Sequence, residues 1–100
     1  MKMIGIMTID EYVKQVRKLL KDHHIHIYSE FPLIGHSDRG GSGFGFWHAE
    51  GDLPIASTMC FAIVDQATAD ELFTAVEELA QEVDPNHPPR AFQMNVEKMI

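Results

Sequence analysis

Cysteine, basic residues and long apolar runs are scarce in this 100-residue chain, and each scarcity excludes a class of protein. Cys60 is the single cysteine, so an internal disulfide is excluded. Eight Lys and Arg stand against fifteen Asp and Glu, and the formal charge of −7 argues against a nucleic-acid or anionic-membrane surface. The opening sequence MKMIGIM is too short for a signal peptide or a membrane span, so we expect a cytoplasmic protein without membrane insertion.

The length of the chain limits its organisation to one domain, residues 1–100. A chain of this size buries only about 60–65% of the surface that its unfolded form exposes. Because its own core is modest, association with further copies would stabilise it. We therefore expect an oligomer.

The hydrophobic period changes along the chain in an order that predicts strand, helix, strand, strand, helix, strand. Two sequences with the pattern of capping boxes precede the helices: Thr8-Ile9-Asp10-Glu11 and Thr68-Ala69-Asp70-Glu71. The predicted strands are residues 2–7, 24–29, 57–64 and 90–96. This order predicts an α+β, ferredoxin-like βαββαβ fold, with a four-stranded antiparallel sheet and both helices on one face. The other face is expected to pack on other subunits.

Between the second and third strands the chain changes character, and a long loop is predicted at about residues 36–56. Glycines interrupt any regular period there, and Phe44, Phe46 and Trp47 lie among them. The glycine run at 40–45 lacks the Lys-Ser/Thr ending of a P-loop, so flexibility explains it more simply. The three aromatic residues are candidates to clamp a flat ligand or to anchor on a partner protein; alternatively they fold back against a neighbouring subunit.

Three stretches carry a resemblance to a known family: the opening strand, the sequence Ile34-Gly35-His36 ahead of the glycine-rich stretch, and the ending Arg90-Ala91-Phe92-Gln93-Met94-Asn95-Val96-Glu97. In element order and length the chain resembles the PII signal-transduction superfamily, and more narrowly the small PII-like proteins found beside metal-efflux and bicarbonate-transport systems. The resemblance implies a homotrimer whose sheets face a central axis. It also implies small effectors in clefts between subunits, and a long loop that contacts a regulated protein such as a membrane transporter.

The resemblance also implies the residues of a ligand site. Gly35 matches the glycine at the loop base, and Arg90 matches a basic residue ahead of the last strand. A guanidinium there can hold a phosphate through two N–H groups. We expect Arg39 near the ligand as well, with His36 and His48 on the loop. The implied ligand is an adenine nucleotide or a bicarbonate-type anion.

One departure from the family pattern bears on the identity of the ligand. The turn before the last strand reads Asn86-His87-Pro88-Pro89, where the nucleotide-binding members have glycines. A proline has no backbone N–H to offer a phosphate. Together with the acidic net charge, this disfavours ATP and leaves ADP, AMP, a cyclic nucleotide or bicarbonate.

The histidines support an alternative ligand, a divalent metal. The sequence His23-His24-x-His26 groups three imidazoles, and on a strand His24 and His26 would share one face. Imidazole binds zinc, copper and nickel, so copies meeting at a threefold axis would form a metal sensor or an accessory protein of a metal-efflux system. The competing explanation is exposed histidines at a helix C-terminus, where the helix dipole favours a positive ring.

Catalysis has little support in the sequence. It shows no reliable catalytic triad, distinctive carboxylate pair or cofactor motif. Cys60 falls in a predicted core strand and is interpreted as a small buried hydrophobe rather than a nucleophile. We therefore predict a regulator that is not an enzyme, with a small ferredoxin-like enzyme as a third hypothesis.

Overall fold

The structure is a computed structural model and describes residues 1–36 and 55–100. Within these ranges the strands and helices follow the predicted order. The strands are β1 (Lys2–Ile9), β2 (Ser29–Gly35), β3 (Ile55–Val64) and β4 (Arg90–Asn95). The helices are α1 (Val13–Asp22) and α2 (Gln66–Glu82), and a 3₁₀ turn (Asp10–Tyr12) precedes α1. No helix in these ranges is both long and apolar enough to cross a membrane.

The four strands form one antiparallel sheet in the order β2-β3-β1-β4. β1 is central and pairs with β3 from Lys2 opposite Val64 to Ile9 opposite Ser57. Its other side pairs with β4, from Lys2 opposite Asn95 onward. This topology is the predicted ferredoxin-like α+β fold, and it leaves β2 and β4 at the two edges of the sheet.

The hydrophobic core lies between one face of the sheet and the two helices. Alternation along the strands places Ile4 opposite Ala62 and Ile6 opposite Cys60, so all four side chains point to the same face. The apolar faces of α1 and α2 pack on these side chains and complete the buried cluster. Its members are Ile4, Ile6, Val16, Leu20, Cys60, Ala62, Leu72 and Val76.

The opposite face of the sheet carries no helix in the described parts of the chain, and its side chains are largely apolar. By register and alternation they include Phe31, Phe61, Ile63, Phe92 and Met94, which together are called the open face. The rings of Phe31 and Phe61 meet edge to face with centroids 6.1 Å apart. The ring of Phe92 lies over Gly5 of β1, where a Cβ atom would come within 2.6 Å of it.

The start of α1 differs from the predicted capping box at Thr8-Ile9-Asp10-Glu11. β1 continues to Ile9 and pairs Thr8 with Thr58, so Thr8 is a buried strand residue. Its hydroxyl donates to the carbonyl of Ile9 at 3.1 Å. α1 begins at Val13 with no side-chain cap. The predicted cap was wrong because sheet pairing extends the strand over it.

The start of α2 lies three residues closer to β3 than the Thr68 capping box indicates. Asp65 is the N-cap, and its carboxylate accepts a hydrogen bond from the Thr68 backbone N–H at 2.8 Å. Hydrogen bonds from the Thr68 side chain and backbone lower the pKa of Asp65. The helix was predicted correctly, whereas its cap was assigned to the wrong residue.

The second strand was predicted over residues 24–29, but residues 23 and 24 form a turn and residues 25–28 form an irregular connection to β2. α1 ends in a Schellman motif, in which the His24 N–H donates to the Lys21 carbonyl at 3.0 Å and the Ile25 N–H to the Leu20 carbonyl at 2.9 Å. His24 has φ 62°, the left-handed conformation that glycine usually supplies at this position. Because the chain turns here, β2 begins at Ser29. The expectation that His24 and His26 lie on the sheet was therefore wrong.

Candidate functional site

Arg90, the predicted basic ligand residue, is the first residue of β4 and is exposed. It lies opposite Met7 of β1, and alternation places its side chain on the same side of the sheet as Phe92. No carboxylate within residues 1–36 and 55–100 forms an ion pair with its guanidinium. Arg90 therefore offers a cation at one end of the open face.

The turn that leads into Arg90 is held by Asp84. The Asp84 carboxylate accepts from the Asn86 N–H at 2.9 Å and lies 3.2 Å from Nδ1 of His87. The Asp84 N–H in turn donates to the hydroxyl of Tyr12 at 3.2 Å. The hydrogen bond from the Asn86 backbone, followed by that from His87, lowers the pKa of Asp84. Side chains thus order a turn in which three prolines offer no N–H.

Gly35, the predicted loop-base glycine, is the last residue of β2 and lies opposite Ile55. A Cβ atom added at Gly35 would meet only the Ile55 carbonyl oxygen, at an ordinary 3.7 Å. Packing among the described residues therefore gives no steric reason for glycine here. Its role beside a ligand stays a prediction.

Gly35 and Arg90 lie on opposite edges of the sheet. β3 and β1 lie between their two strands. The register aligns Phe31 with Met7 and Arg90 across the sheet, and Gly35 lies four residues beyond Phe31 along β2. At about 4.8 Å per strand and about 3.3 Å per residue, their Cα atoms are roughly 20 Å apart. A bicarbonate ion therefore does not reach both residues of one chain.

Most of the predicted loop residues lie outside the described ranges. They are Arg39, Phe44, Phe46, Trp47 and His48. His36 directly follows β2 and is exposed. The ligand and partner roles assigned to all six stay predictions.

His24 and His26, the predicted metal ligands, lie in the turn between α1 and β2. Their ring centroids are 6.4 Å apart and the rings are tilted by 54°. His23 points elsewhere, since its Nδ1 lies 4.0 Å from the carboxylate of Glu71 on α2. Over residues 1–36 and 55–100, no group of three or more His, Cys, Asp or Glu side chains is arranged to hold a metal ion. His24 and His26 therefore supply only two candidate metal ligands in the described residues.

Cys60 is buried beneath an ion pair that joins α1 to β2. Arg17 Nε donates to Oε2 of Glu30 at 3.0 Å, Arg17 Nη2 pairs with the other oxygen, and Cys60 Sγ lies 3.8 Å from Oε2. The hydrogen bond from Arg17 lowers the pKa of Glu30. Burial, followed by the charge of Glu30, raises the pKa of Cys60 to about 11. The thiol is protonated at neutral pH, which suits a buried hydrophobe rather than a nucleophile.

Comparison with solved structures identifies the architecture. A protein from Thermus thermophilus described as PII-like matches with a TM-score of 0.65 and 22% sequence identity, over 95% of this chain and 85% of that one. CPII, a nitrogen regulatory PII-like protein from Thiomonas intermedia, matches with a TM-score of 0.63 and 15% identity, over 99% of this chain and 94% of that one. The chain has the PII-like fold.

The PII-like resemblance inferred from the sequence is thus confirmed at the level of fold. The structure of CPII contains ADP, AMP and bicarbonate. No protein-family model and no curated protein matches this sequence. The relationship therefore rests on the three-dimensional arrangement of the strands and helices.

Proposed function

We propose that this chain is a cytoplasmic PII-like regulatory protein that binds an adenine nucleotide or a bicarbonate-type anion between the subunits of a homotrimer. Ligand binding would be reported to a regulated protein, such as a membrane transporter, through the segment at about residues 36–56. The observation that carries the proposal is the match to CPII over nearly the whole length of both chains. Order imposed on a segment by a ligand is a change that a partner protein can recognise.

Two features of the sheet support a site shared between subunits. The open face exposes Phe31, Ile63 and Met94 to solvent in the single chain. Large exposed apolar surface is typical of protein interfaces. Gly35 and Arg90 lie too far apart in one chain for bicarbonate, so a bicarbonate site that contains both needs a second subunit.

The proposed cleft is tested by an Arg90→Gln variant and calorimetric titration with ADP, AMP and bicarbonate. We expect the variant to bind the preferred ligand at least about tenfold more weakly, because a charged hydrogen-bond donor is lost. Lys98→Gln is the matched control, since it removes one exposed positive charge near the end of the chain. Full affinity of Arg90→Gln for every ligand that the wild type binds would contradict the cleft. Absence of wild-type binding to all three would contradict the regulatory function.

A second candidate function is a zinc, copper or nickel sensor or accessory protein of a metal-efflux system. The proximity of the His24 and His26 rings favours it. A tetrahedral zinc ion needs further ligands beyond two imidazoles, so other groups would have to complete the site. His26→Ala is expected to abolish stoichiometric binding of zinc, with His87→Ala as a control for a histidine elsewhere. Unchanged stoichiometry in His26→Ala would contradict this function.

A further inference from the structure

A groove of about 490 Å³ lies beside the C-terminal half of α1. Its lining residues come from α1 and from the turn that leads to β2: Arg17, Lys18, Lys21, Ile25, His26 and Tyr28. Three of the eight Lys and Arg residues of the chain meet at this groove, although the chain as a whole carries a charge of −7. The groove is therefore a basic site on an acidic protein.

Two of the three cations of the groove, Arg17 and Lys18, are oriented by ion pairs that leave some of their donors free. Arg17 pairs with Glu30 through Nε and Nη2, which fixes the plane of the guanidinium and leaves Nη1 outside the pair. Lys18 Nζ donates one hydrogen bond to Asp22 at 2.7 Å, and an ammonium has three donors. Lys21 forms no ion pair with any carboxylate in the described residues.

The turn beyond α1 gives the same groove an apolar and aromatic side. Ile25 and Tyr28 are half-buried and pack against the core, so both have a fixed position. The Schellman motif places Ile25 three residues beyond the end of α1 and satisfies the carbonyl groups of Leu20 and Lys21. These carbonyls carry negative partial charge at a helix C-terminus, and their hydrogen bonds reduce the repulsion of an anion there.

We propose that this groove is a second ligand site, which binds a phosphate-bearing small molecule through Arg17, Lys18 and Lys21 and holds its apolar part against Tyr28. The volume falls within the range of small-molecule sites. The groove lies beside the N-terminal end of β2, whereas Gly35 is at the other end of that strand. The proposal is therefore independent of the cleft that contains Gly35 and Arg90.

The charge balance of the groove sets the kind of ligand expected. Glu30 and Asp22 offset two of the three cations, which leaves one net positive charge. A ligand with several negative charges is favoured, since it can use the free donors of all three cations. Because these groups are exposed, the affinity should fall steeply as salt is added.

The site is tested with pyrophosphate, titrated into the full chain at low ionic strength and followed by amide chemical shifts. Saturable shifts are expected at residues 17–28. Lys21→Gln should weaken binding at least about fivefold, because it removes the unpaired cation of the groove. Lys14→Gln is the matched control, since Lys14 lies exposed on the same helix but outside the groove. It should change the affinity less than about twofold.

Three outcomes would overturn the second site. Equal weakening by Lys21→Gln and Lys14→Gln would show a diffuse attraction to the helix rather than a groove. Shifts confined to the surroundings of Arg90 and Gly35 would assign the phosphate to the cleft of the proposed function. Shifts that do not saturate would show that pyrophosphate has no defined site.

Discussion

The two faces of the sheet are built from similar side chains but have different partners. Ile4 and Ile6 point to the helices and are each 1% exposed, because α1 and α2 cover them. On the open face Phe31 and Met94 remain 45% and 52% exposed. The covered face thus contributes its hydrophobic free energy to folding of the single chain. The open face has apolar area left to contribute to association.

The largest expected effect comes from the covered face. Ile6→Ala should lower the free energy of unfolding by about 2–5 kcal/mol, because it leaves a cavity among fully buried side chains. The measurement is urea denaturation at several protein concentrations. Ile34→Ala serves as the control, since Ile34 is 62% exposed, and should change the free energy by less than about 0.5 kcal/mol. Equal effects of the two substitutions would contradict the placement of the core.

The next largest effect is expected on assembly, from Phe31→Lys. An ammonium in the open face should weaken self-association at least about tenfold, since burying an unpaired charge is costly. Ile34→Lys is the matched control: it lies on the same strand, but alternation points it to the other face. Sedimentation should give three times the 11.3 kDa chain mass for the control and a smaller mass for Phe31→Lys. The same mass for both variants would show that the open face is not the interface.

A smaller effect is expected where two strands of the open face meet at Gly5. Gly5→Ala should destabilise the chain by about 1–3 kcal/mol, because the new methyl group overlaps the ring of Phe92. The double variant Gly5→Ala, Phe92→Leu removes the ring and should recover part of the loss. Thermal unfolding of both variants measures this coupling. Additive losses would indicate that the two residues do not contact each other.

The smallest effect is expected from Asp65→Ala, which acts on the covered face through the start of α2. The variant should melt at a lower temperature at neutral pH, because the Thr68 N–H loses its acceptor. The pKa of Asp65 is lowered in the folded state, so its carboxylate stabilises above its unfolded value of about 3.9. That contribution is lost as the pH falls through the lower folded pKa. The melting temperatures of wild type and variant should therefore converge in acid.

An exposed glutamate of the same helix gives the control for this pH dependence. Glu77 lies on α2, away from its first turn. The difference in melting temperature between Glu77→Ala and wild type should therefore not follow the titration of Asp65. A melting-temperature difference for Asp65→Ala that stays constant from neutral pH to strong acid would contradict its role as a cap. Neither variant should alter the sedimenting mass.

The second half of the fold could be predicted closely from the sequence. The apolar run predicted over 57–64 belongs to β3, which begins two residues earlier at Ile55. The pattern predicted over 90–96 gives β4, which ends at Asn95. In these elements local pattern and tertiary packing favour the same structure, since one side of each faces the core.

In the first half of the fold, the order of the strands and helices could be predicted from the sequence, but their bounds could not. Alternating His and Ile at residues 24–27 indicates a strand, yet His24 adopts the left-handed conformation and ends α1. A non-glycine residue gives no local signal of such a turn. The hydrogen bonds of the motif and the packing of Ile25 on the core outweigh the local preference.

The candidate site could be predicted by residue type more easily than by arrangement. Arg90 is exposed and lacks an ion-pair partner in the described part of the chain, as a ligand residue requires. Its separation from Gly35 depends on strand order and register, which a single sequence does not specify. The contact between Asp84 and His87 was missed, although Asp-Pro-Asn-His is a sequence typical of a side-chain-stabilised turn.

Pro32 lies within β2, at an edge of the sheet. Proline has no N–H to offer an incoming strand, and it is one of the residues by which natural edges resist unwanted pairing. Growth of the sheet by addition of strands from other molecules is therefore obstructed at this edge. An aggregation assay on a Pro32→Val variant would show how far this one residue limits the formation of fibrils.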